Sequence, residues 1–199
     1  MTDERLTRRR GAALTAAIRD ATVAELAEYG YAGVSFEGVA RRAHTSKPVL
    51  YRRYDSRAHL VIDAWTSLAP LVLPARGSGT LRVDLIGVLG AINERFQRVG
   101  VDAFRRVIAE ADDDLLEQIT TFTWTAAKDT IARMLREARD RGDLGDEPIP
   151  ERVMLLPLVL LRHELFFLRG TLATDVLAEI VDQVCLPLLV YASNDGVAQ

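Results

Sequence analysis

A short segment in the first third of the chain concentrates side chains that can bind nucleic acid. Lys47 can donate hydrogen bonds to guanine or to phosphate, and the methyl groups of Val49 can contact the methyl group of thymine. Arg52, Arg53 and the hydroxyl of Tyr51 can each hold a phosphate oxygen. These residue types at this spacing indicate a surface for duplex DNA.

Start signals place this segment at the end of a pair of short helices. Ser35 can cap the first of them, which carries Phe36 and Ala40 inward and Arg42 outward. Because alanine is small, position 40 lets the next helix approach closely. A tight turn is expected to follow at residues 44–45.

The second short helix is expected to carry the DNA-binding side chains. Ser46 is a good N-cap and Pro48 is tolerated in a first turn, so this helix is predicted to run from Lys47 to about Tyr54. Leu50 is its inward-facing residue. Two short helices joined by a tight turn form a helix-turn-helix, in which the second helix lies in the major groove.

Apolar periodicity predicts helices through the rest of the chain. One covers about residues 9–29 and stops at Gly30, and another runs from Arg57 to about Leu68 after a cap at Asp55 or Ser56. Body helices are expected at about 81–99, 102–111, 113–141, 151–169 and 174–192. Since no strand pattern competes, the fold is predicted to be all-α with about nine helices. A helix-turn-helix head at 1–56 joins a helical body at 57–199 without a linker.

Charge is distributed unevenly between head and body. Residues 1–65 carry 11 basic and 8 acidic side chains, whereas residues 66–199 carry 14 and 20. A basic head on an acidic body suits a protein whose head meets phosphate. The longest apolar run, residues 154–161, is too short to span a membrane, and the first residues lack the apolar core of a signal peptide. A cytoplasmic protein without membrane contact is therefore predicted.

Residues 18–60 follow an ordered pattern that is more specific than a single helix-turn-helix match. The pattern runs from Gly30, which ends the first helix, through Ser46 to Arg57, which opens the fourth. In this it resembles the DNA-binding head of the TetR family of transcription regulators. The family usually has glycine in the tight turn, where this chain has His44. Histidine enters the left-handed region more readily than most residues, so the turn is expected to survive.

The resemblance implies roles for individual residues and a set of partners. The base-facing positions are those of Lys47, Pro48 and Val49, and the phosphate-binding positions are those of Tyr51, Arg53 and Arg57. The full set expected at the DNA is Ser35, Arg42, Thr45, Ser46, Lys47, Pro48, Val49, Tyr51, Arg52, Arg53, Tyr54 and Arg57. The implied function is that of a homodimer on a partly palindromic operator, typically repressing until a small, largely apolar effector releases it.

The last two long helices are predicted to form the dimer interface. Residues 154–161 are apolar on all sides of the helix, and a broad apolar stripe follows in the last helix, so a partner subunit is the economical cover. The alternative is that both helices belong to the core of a monomer. The residues expected at the interface are Leu155, Leu158, Val159, Arg162, Val176, Ile180, Val184 and Leu188.

An effector pocket is expected among the body helices, by resemblance to related regulators. Arg162 and His163 are candidates for holding a polar or anionic end of the ligand. The apolar candidates are Trp65, Phe96, Phe104, Phe122, Trp124, Met134 and Phe166. For each aromatic residue, filling of the core is the competing interpretation.

Two other classes of protein compete with a DNA-binding regulator as interpretations of this sequence. An enzyme would need a convergent site, but the sequence has no phosphate-binding loop, dinucleotide fingerprint, nucleophile elbow or metal-ligand cluster. Neither a cofactor nor a metal is therefore expected, and Cys185 is interpreted as a buried apolar residue rather than a redox sensor. A helical protein-interaction module without DNA affinity is the second alternative. Its retention on heparin or duplex DNA would not depend on Lys47 or Arg53.

Overall fold

The computed structural model describes residues 2–68, 79–168 and 170–194, without the side chains of residues 2–10, 68, 99, 122–124 and 126. The described residues form helices and connecting turns and contain no strand, which confirms the all-α prediction. The helices are α1 (Thr2–Gly33), α2 (Phe36–Arg42), α3 (Lys47–Tyr51), α4 (Arg57–Leu68), α5 (Leu81–Val99), α6 (Val101–Glu110), α7 (Asp113–Asp140), α8 (Glu151–His163), α9 (Thr174–Ile180) and α10 (Leu186–Asn194). A π-helical turn extends α8 over Glu164–Leu168, and another joins α9 to α10 over Val181–Cys185. The sequence predicts about nine helices and the described residues contain ten, because the second π-helical turn divides the predicted last helix into α9 and α10.

Two helix ends in the N-terminal part were predicted wrongly. The first helix begins at Thr2, and a backbone φ of 65° at Gly30 interrupts it at the expected stop before one more turn forms. Helix α3 ends at Tyr51 rather than near residue 54. There the N–H groups of Arg53 and Tyr54 both donate to the carbonyl of Leu50, which tightens the chain into a turn instead of continuing the helix.

The chain divides into two compact units. The first contains Met1–Pro70 and Asp102–Ile119, and the second contains Leu71–Val101 and Thr120–Gln199. Helices α4 and α6 thus belong to the same unit as the helix-turn-helix. The predicted division after residue 56 stays a prediction.

The first unit is held by an apolar core and by a half-buried polar cluster. Ile18 of α1, Leu50 of α3 and Val61 of α4 are fully buried. The guanidinium of Arg19 lies 2.7 Å from the carboxylate of Asp63, to which the Tyr54 hydroxyl also donates at 2.7 Å. Burial alone raises the pKa of Asp63, but these hydrogen bonds and the charge of Arg19 outweigh it, so the pKa lies below its usual value.

The second unit is organised around α5. Its residues Leu85, Val88 and Leu89 are fully buried, and the helix packs against α8, α9 and the π-helical turn at 181–185. Asn93 fixes the segment before α9, because its amide donates to the Leu172 carbonyl at 2.8 Å and accepts from the Leu172 N–H at 2.9 Å.

One helical segment among the described residues, Thr174–Asn194, is long and apolar enough to cross a membrane. A core helix of a soluble protein passes the same test. Cys185 lies in this segment and is buried, in agreement with its interpretation as an apolar residue.

Candidate nucleic-acid interface

The turn between α2 and α3 is built as the sequence predicts. The hydroxyl of Ser35 caps α2 by accepting from the Gly38 N–H at 3.0 Å. His44 has a backbone φ of 50°, the left-handed conformation expected where the family has glycine. The Thr45 N–H then donates to the carbonyl of Ala40 at 3.0 Å, so the turn closes on the small residue that precedes it.

Helix α3 presents one face outward from this turn. Leu50 anchors the helix in the core, whereas Lys47, Pro48 and Tyr51 are exposed. Ser46 occupies the N-cap position with extended backbone, but its hydroxyl makes no capping hydrogen bond in the part of the chain described. The Ser46 hydroxyl is therefore not used in holding the helix. Arg52 is exposed as well, while Thr45 and Val49 are half-buried.

Two side chains of α2 support the residues of α3. The ring of Phe36 stacks on that of Tyr51 at 4.5 Å with an interplanar angle of 5°, and Tyr51 remains 60% exposed. Phe36 is half-buried, so its ring supports the exposed Tyr51 ring in addition to packing at the edge of the core. The carboxylate of Glu37 pairs with the Lys47 ammonium at 2.5 Å and raises the pKa of that lysine. The Lys47 ammonium is therefore engaged by an acidic partner in the free protein.

Arg42, predicted to face outward, is half-buried and its guanidinium is already paired. Its guanidinium pairs with Glu25, which is 2% exposed, and with Glu28, and both hydrogen bonds raise the pKa of Arg42. Close approach of α1 and α2 makes this possible, because a Cβ added at Gly38 would lie 2.1 Å from an oxygen of Glu25. Arg42 thus ties the helix-turn-helix to α1.

Arg53 and Tyr54, which follow α3, both make side-chain hydrogen bonds within the first unit. Arg53 is half-buried and donates to the hydroxyl of Thr15 at 2.9 Å. Tyr54 is 5% exposed and its hydroxyl is used by Asp63, which contradicts its predicted place at the DNA. The reason is the early end of α3, which turns residue 54 into the core.

Arg57 is held by a cluster that sequence reasoning missed. Its guanidinium pairs with Glu110 of α6 at 2.5 Å, donates to the carbonyl of Ala32 at 3.1 Å and lies 4.7 Å from the centre of the Tyr31 ring. The Tyr31 hydroxyl donates to Glu110 at 2.8 Å. Burial of the phenol, and to a smaller extent this hydrogen bond, raise the pKa of Tyr31 to about 12. A separation of 53 residues between Arg57 and Glu110 leaves no local sequence signal for the pair.

The predicted dimer residues fall into two groups within the second unit. Leu155, Leu158 and Ile180 are buried in the protomer itself, which corrects their assignment to an open interface. They point into the core because α8 and α9 pack on α5 and on each other. Val159, Arg162 and Val184 are exposed, and Val176 and Leu188 are half-buried.

The predicted pocket residues form pairs within each unit. In the first unit the ring centres of Trp65 and Phe104 are 6.2 Å apart. In the second, Phe96 meets Phe166 edge to face at 5.1 Å, and Met134 is fully buried. Arg162 and His163, the expected polar anchors, are exposed, and His163 stacks on Phe167. The side chains of Phe122 and Trp124 lie outside the described residues. Among those described, no group of three or more metal-ligating side chains occurs.

A helix-turn-helix with an exposed, basic second helix, followed by a helical body, defines a one-chain DNA-binding regulator. Residues 18–64 match the family described as bacterial regulatory proteins, tetR family, and residues 75–184 match the tetracyclin repressor-like C-terminal domain. The chain belongs to the TetR family of transcription regulators. Such proteins are DNA-binding regulators rather than enzymes.

Individual relatives are similar to this protein over most of its length. An uncharacterised HTH-type transcriptional regulator of Mycobacterium tuberculosis is 30% identical over 180 residues, which cover 87% of this chain and 86% of the relative. The DNA-binding transcriptional repressor TetR of Mycobacteroides abscessus is 28% identical over 90% of this chain and 96% of its own. A crystal structure of a protein described as a TetR-family regulator of Mesorhizobium loti shares the fold, with a TM-score of 0.55 at 19% identity, covering 92% of this chain and 98% of that one.

Proposed function

We propose that the protein is a homodimeric repressor that reads a partly palindromic operator through α3 and leaves it when a small effector binds the second unit. The observation that carries the proposal is the α2-turn-α3 geometry, in which Leu50 is buried while Lys47, Tyr51 and Arg52 share the outer surface. A cytoplasmic location accompanies this role.

The side chains of α3 and of the two residues after it have distinct tasks in the proposed complex. Lys47 and Val49 contact base edges, so they determine sequence preference. Tyr51, Arg52 and Arg53 bind phosphates, so they contribute affinity without sequence preference. Stacking on Phe36 favours this task, because it fixes the Tyr51 ring before DNA arrives and lowers the entropy lost on binding.

These roles can be tested by measuring the affinity of full-length variants for a duplex selected from a random pool, by fluorescence anisotropy. Lys47→Ala is expected to relax base preference, whereas Tyr51→Phe and Arg53→Ala weaken binding to all sequences alike. If each subunit uses three or four phosphates, the log–log salt slope is about −5 to −7.

Two further variants keep this test specific to α3. Arg52→Ala removes an exposed charge without breaking a side-chain hydrogen bond seen among the described residues, and Arg136→Ala removes an exposed charge from α7. Loss of affinity in the first and none in the second is expected. Unchanged binding in Tyr51→Phe, Arg52→Ala and Arg53→Ala would contradict the assignment of this face.

The proposed dimer uses the exposed apolar residues of the second unit. Val159 and Val184 remain exposed at 47% and 41% after the protomer has folded, so a second copy can bury them. An obligate interface buries more than about 2,000 Å² in total. Val159→Glu is expected to give a folded monomer, because it places a charge in the interface but not in the core.

Sedimentation of the variants at micromolar concentration distinguishes the outcomes. Val83→Glu is the matched control, since Val83 of α5 is equally exposed at 50%. It is expected to stay dimeric. A monomeric wild-type protein, or a dimeric Val159→Glu, would contradict this interface.

Release by an effector requires that the ligand bind the DNA-incompetent arrangement more tightly. A coupling of about 1–3 kcal/mol lowers DNA affinity about 5- to 150-fold, and operator DNA weakens ligand binding by the same factor. Titration of a candidate ligand into the protein with and without operator DNA measures how much DNA weakens ligand binding, and by reciprocity how much the ligand weakens DNA binding. Equal affinity in the two titrations would exclude that candidate as an effector.

A further inference from the structure

A buried arginine in the second unit has no partner among the described residues. Arg95 of α5 is 8% exposed, and its Nη1 atom is buried without a hydrogen bond. The other two atoms of this kind belong to Asp84 and Glu164, and both of those residues have interactions elsewhere. Arg95 is therefore the exception within the described part of the chain.

No acid on the same face of α5 can neutralise this charge. Asp84 lies eleven positions earlier, so the two residues share a helix face at an axial separation of about 16 Å, beyond the reach of both side chains. Exposed Glu94 is adjacent in sequence and points about 100° away. Burial lowers the pKa of the Arg95 guanidinium, and the positive charge of Arg98 lowers it further.

An unpaired buried guanidinium is costly, because the group stays charged at physiological pH and its N–H donors lose water without replacement. Such a group is retained against its cost where an anion completes the site. Guanidinium donors form a planar fork that matches a carboxylate through two parallel hydrogen bonds.

Most of the buried residues of α5 near Arg95 are apolar. Ile92 and Val88 lie one and two turns earlier on the same buried side of α5, and the next residue, Phe96, meets Phe166 at 5.1 Å. An anion bound here would be attached to an apolar body, since a fully hydrated inorganic ion would lose its water against these side chains.

We propose that Arg95 is the anion-binding group of the effector site and that the effector is a small organic acid, whose carboxylate binds the guanidinium while its apolar part packs near Phe96 and Phe166. The assignment rests on the proposed function, because it names the ligand class of that same site. It replaces the exposed Arg162 and His163 as anchors.

Isothermal titration of the full-length protein with decanoate and with 3-phenylpropionate tests the assignment, with the methyl ester of each acid as the uncharged control. At least one acid is expected to bind the wild type, and neither ester is expected to. Arg95→Met keeps the shape of the side chain but removes the charge, so it should weaken acid binding about 10- to 100-fold. Arg95→Lys should retain part of the affinity, because the charge remains while the planar fork is lost.

The matched control is Arg136→Met, since Arg136 is an exposed arginine of α7 in the same unit. It should leave acid binding unchanged. Absence of binding by both acids, or equal binding to Arg95→Met, would overturn the assignment.

Thermal unfolding without ligand gives a second readout that is independent of the chosen acids. If Arg95 is unpaired, Arg95→Met should raise the Tm by about 2–6 °C, because an uncompensated charge leaves the core. A lower Tm would mean that Arg95 has a structural partner and would overturn the assignment.

DNA titrations separate this inference from the proposed function. An acid that binds through Arg95 but leaves DNA affinity unchanged would support the anion site and contradict its role in operator release. Release by an uncharged compound with no effect of Arg95→Met would support effector control and overturn the anion site.

Discussion

Replacing Glu110 by glutamine should tighten DNA binding. In the free protein the Arg57 guanidinium is divided among the Glu110 carboxylate, the Ala32 carbonyl and the face of the Tyr31 ring. If Arg57 grips phosphate in the complex, the carboxylate competes with DNA for the same donors. Glu110→Gln removes this competition and keeps a hydrogen-bond acceptor for the Tyr31 hydroxyl.

The size of the effect follows from the exposure of the pair. The side chains of Arg57 and Glu110 are 31% and 43% exposed, so solvent screens their attraction and the pair is worth about 0.5–1 kcal/mol. In the proposed homodimer the two subunits together give about 1–2 kcal/mol, or about 5- to 30-fold tighter binding. The same substitution should lower the Tm by no more than about 4 °C.

Fluorescence anisotropy on a selected duplex at fixed salt measures the gain. Glu117→Gln, an exposed acid of α7 in the same unit, controls for the loss of one negative charge and should have little effect. In an Arg57→Gln background, Glu110→Gln should no longer improve binding, because the competed group is absent. Persistence of the gain in that background, or an equal gain in Glu117→Gln, would refute the competition.

Three further predictions concern stability and reactivity. The pKa of Asp63 is lower in the folded state than its unfolded value of about 4. The ionised carboxylate therefore stabilises the fold above about pH 4, and this contribution is lost as the pH falls through the folded pKa. The Tm difference between wild type and Asp63→Asn should shrink over the same pH range. Burial raises the pKa of Cys185 to about 11, so the thiol should resist alkylation at pH 8 in the native protein and react once urea unfolds it; rapid native modification would contradict its burial. Gly38→Ala should destabilise by about 1–3 kcal/mol in urea unfolding, because its Cβ would strike Glu25, whereas Gly90→Ala in open space on α5 should be neutral or stabilising.

Local signals predicted the helix-turn-helix well. Caps at Ser35 and Ser56, the left-handed residue at His44 and the apolar position at Leu50 are properties of a few neighbouring residues, and the structure shows each of them. The end of α3 was misplaced because Tyr54 continues the helical pattern in sequence. Its burial and its bond to Asp63 are tertiary effects that override that pattern.

Pairings between distant residues could not be predicted from sequence. The ion pairs of Arg42 depend on Glu25 and Glu28 of α1, and the ion pair of Arg57 depends on Glu110 of α6. Apolar pattern alone also could not separate the protomer core from an open face. A helix that is apolar all round buries Leu158 against its own chain and leaves Val159 exposed, and which side is which depends on packing.

Selection of duplexes from a random pool by the full-length protein tests the central claim most directly. If α3 reads the major groove in a two-fold dimer, the bound pool should converge on a partly palindromic sequence with half-site centres about one helical turn, or about 34–36 Å, apart. The pool bound by Lys47→Ala should converge less sharply at the positions that this side chain reads. A wild-type protein that retains duplexes without enriching any sequence, or that retains none, would contradict the account.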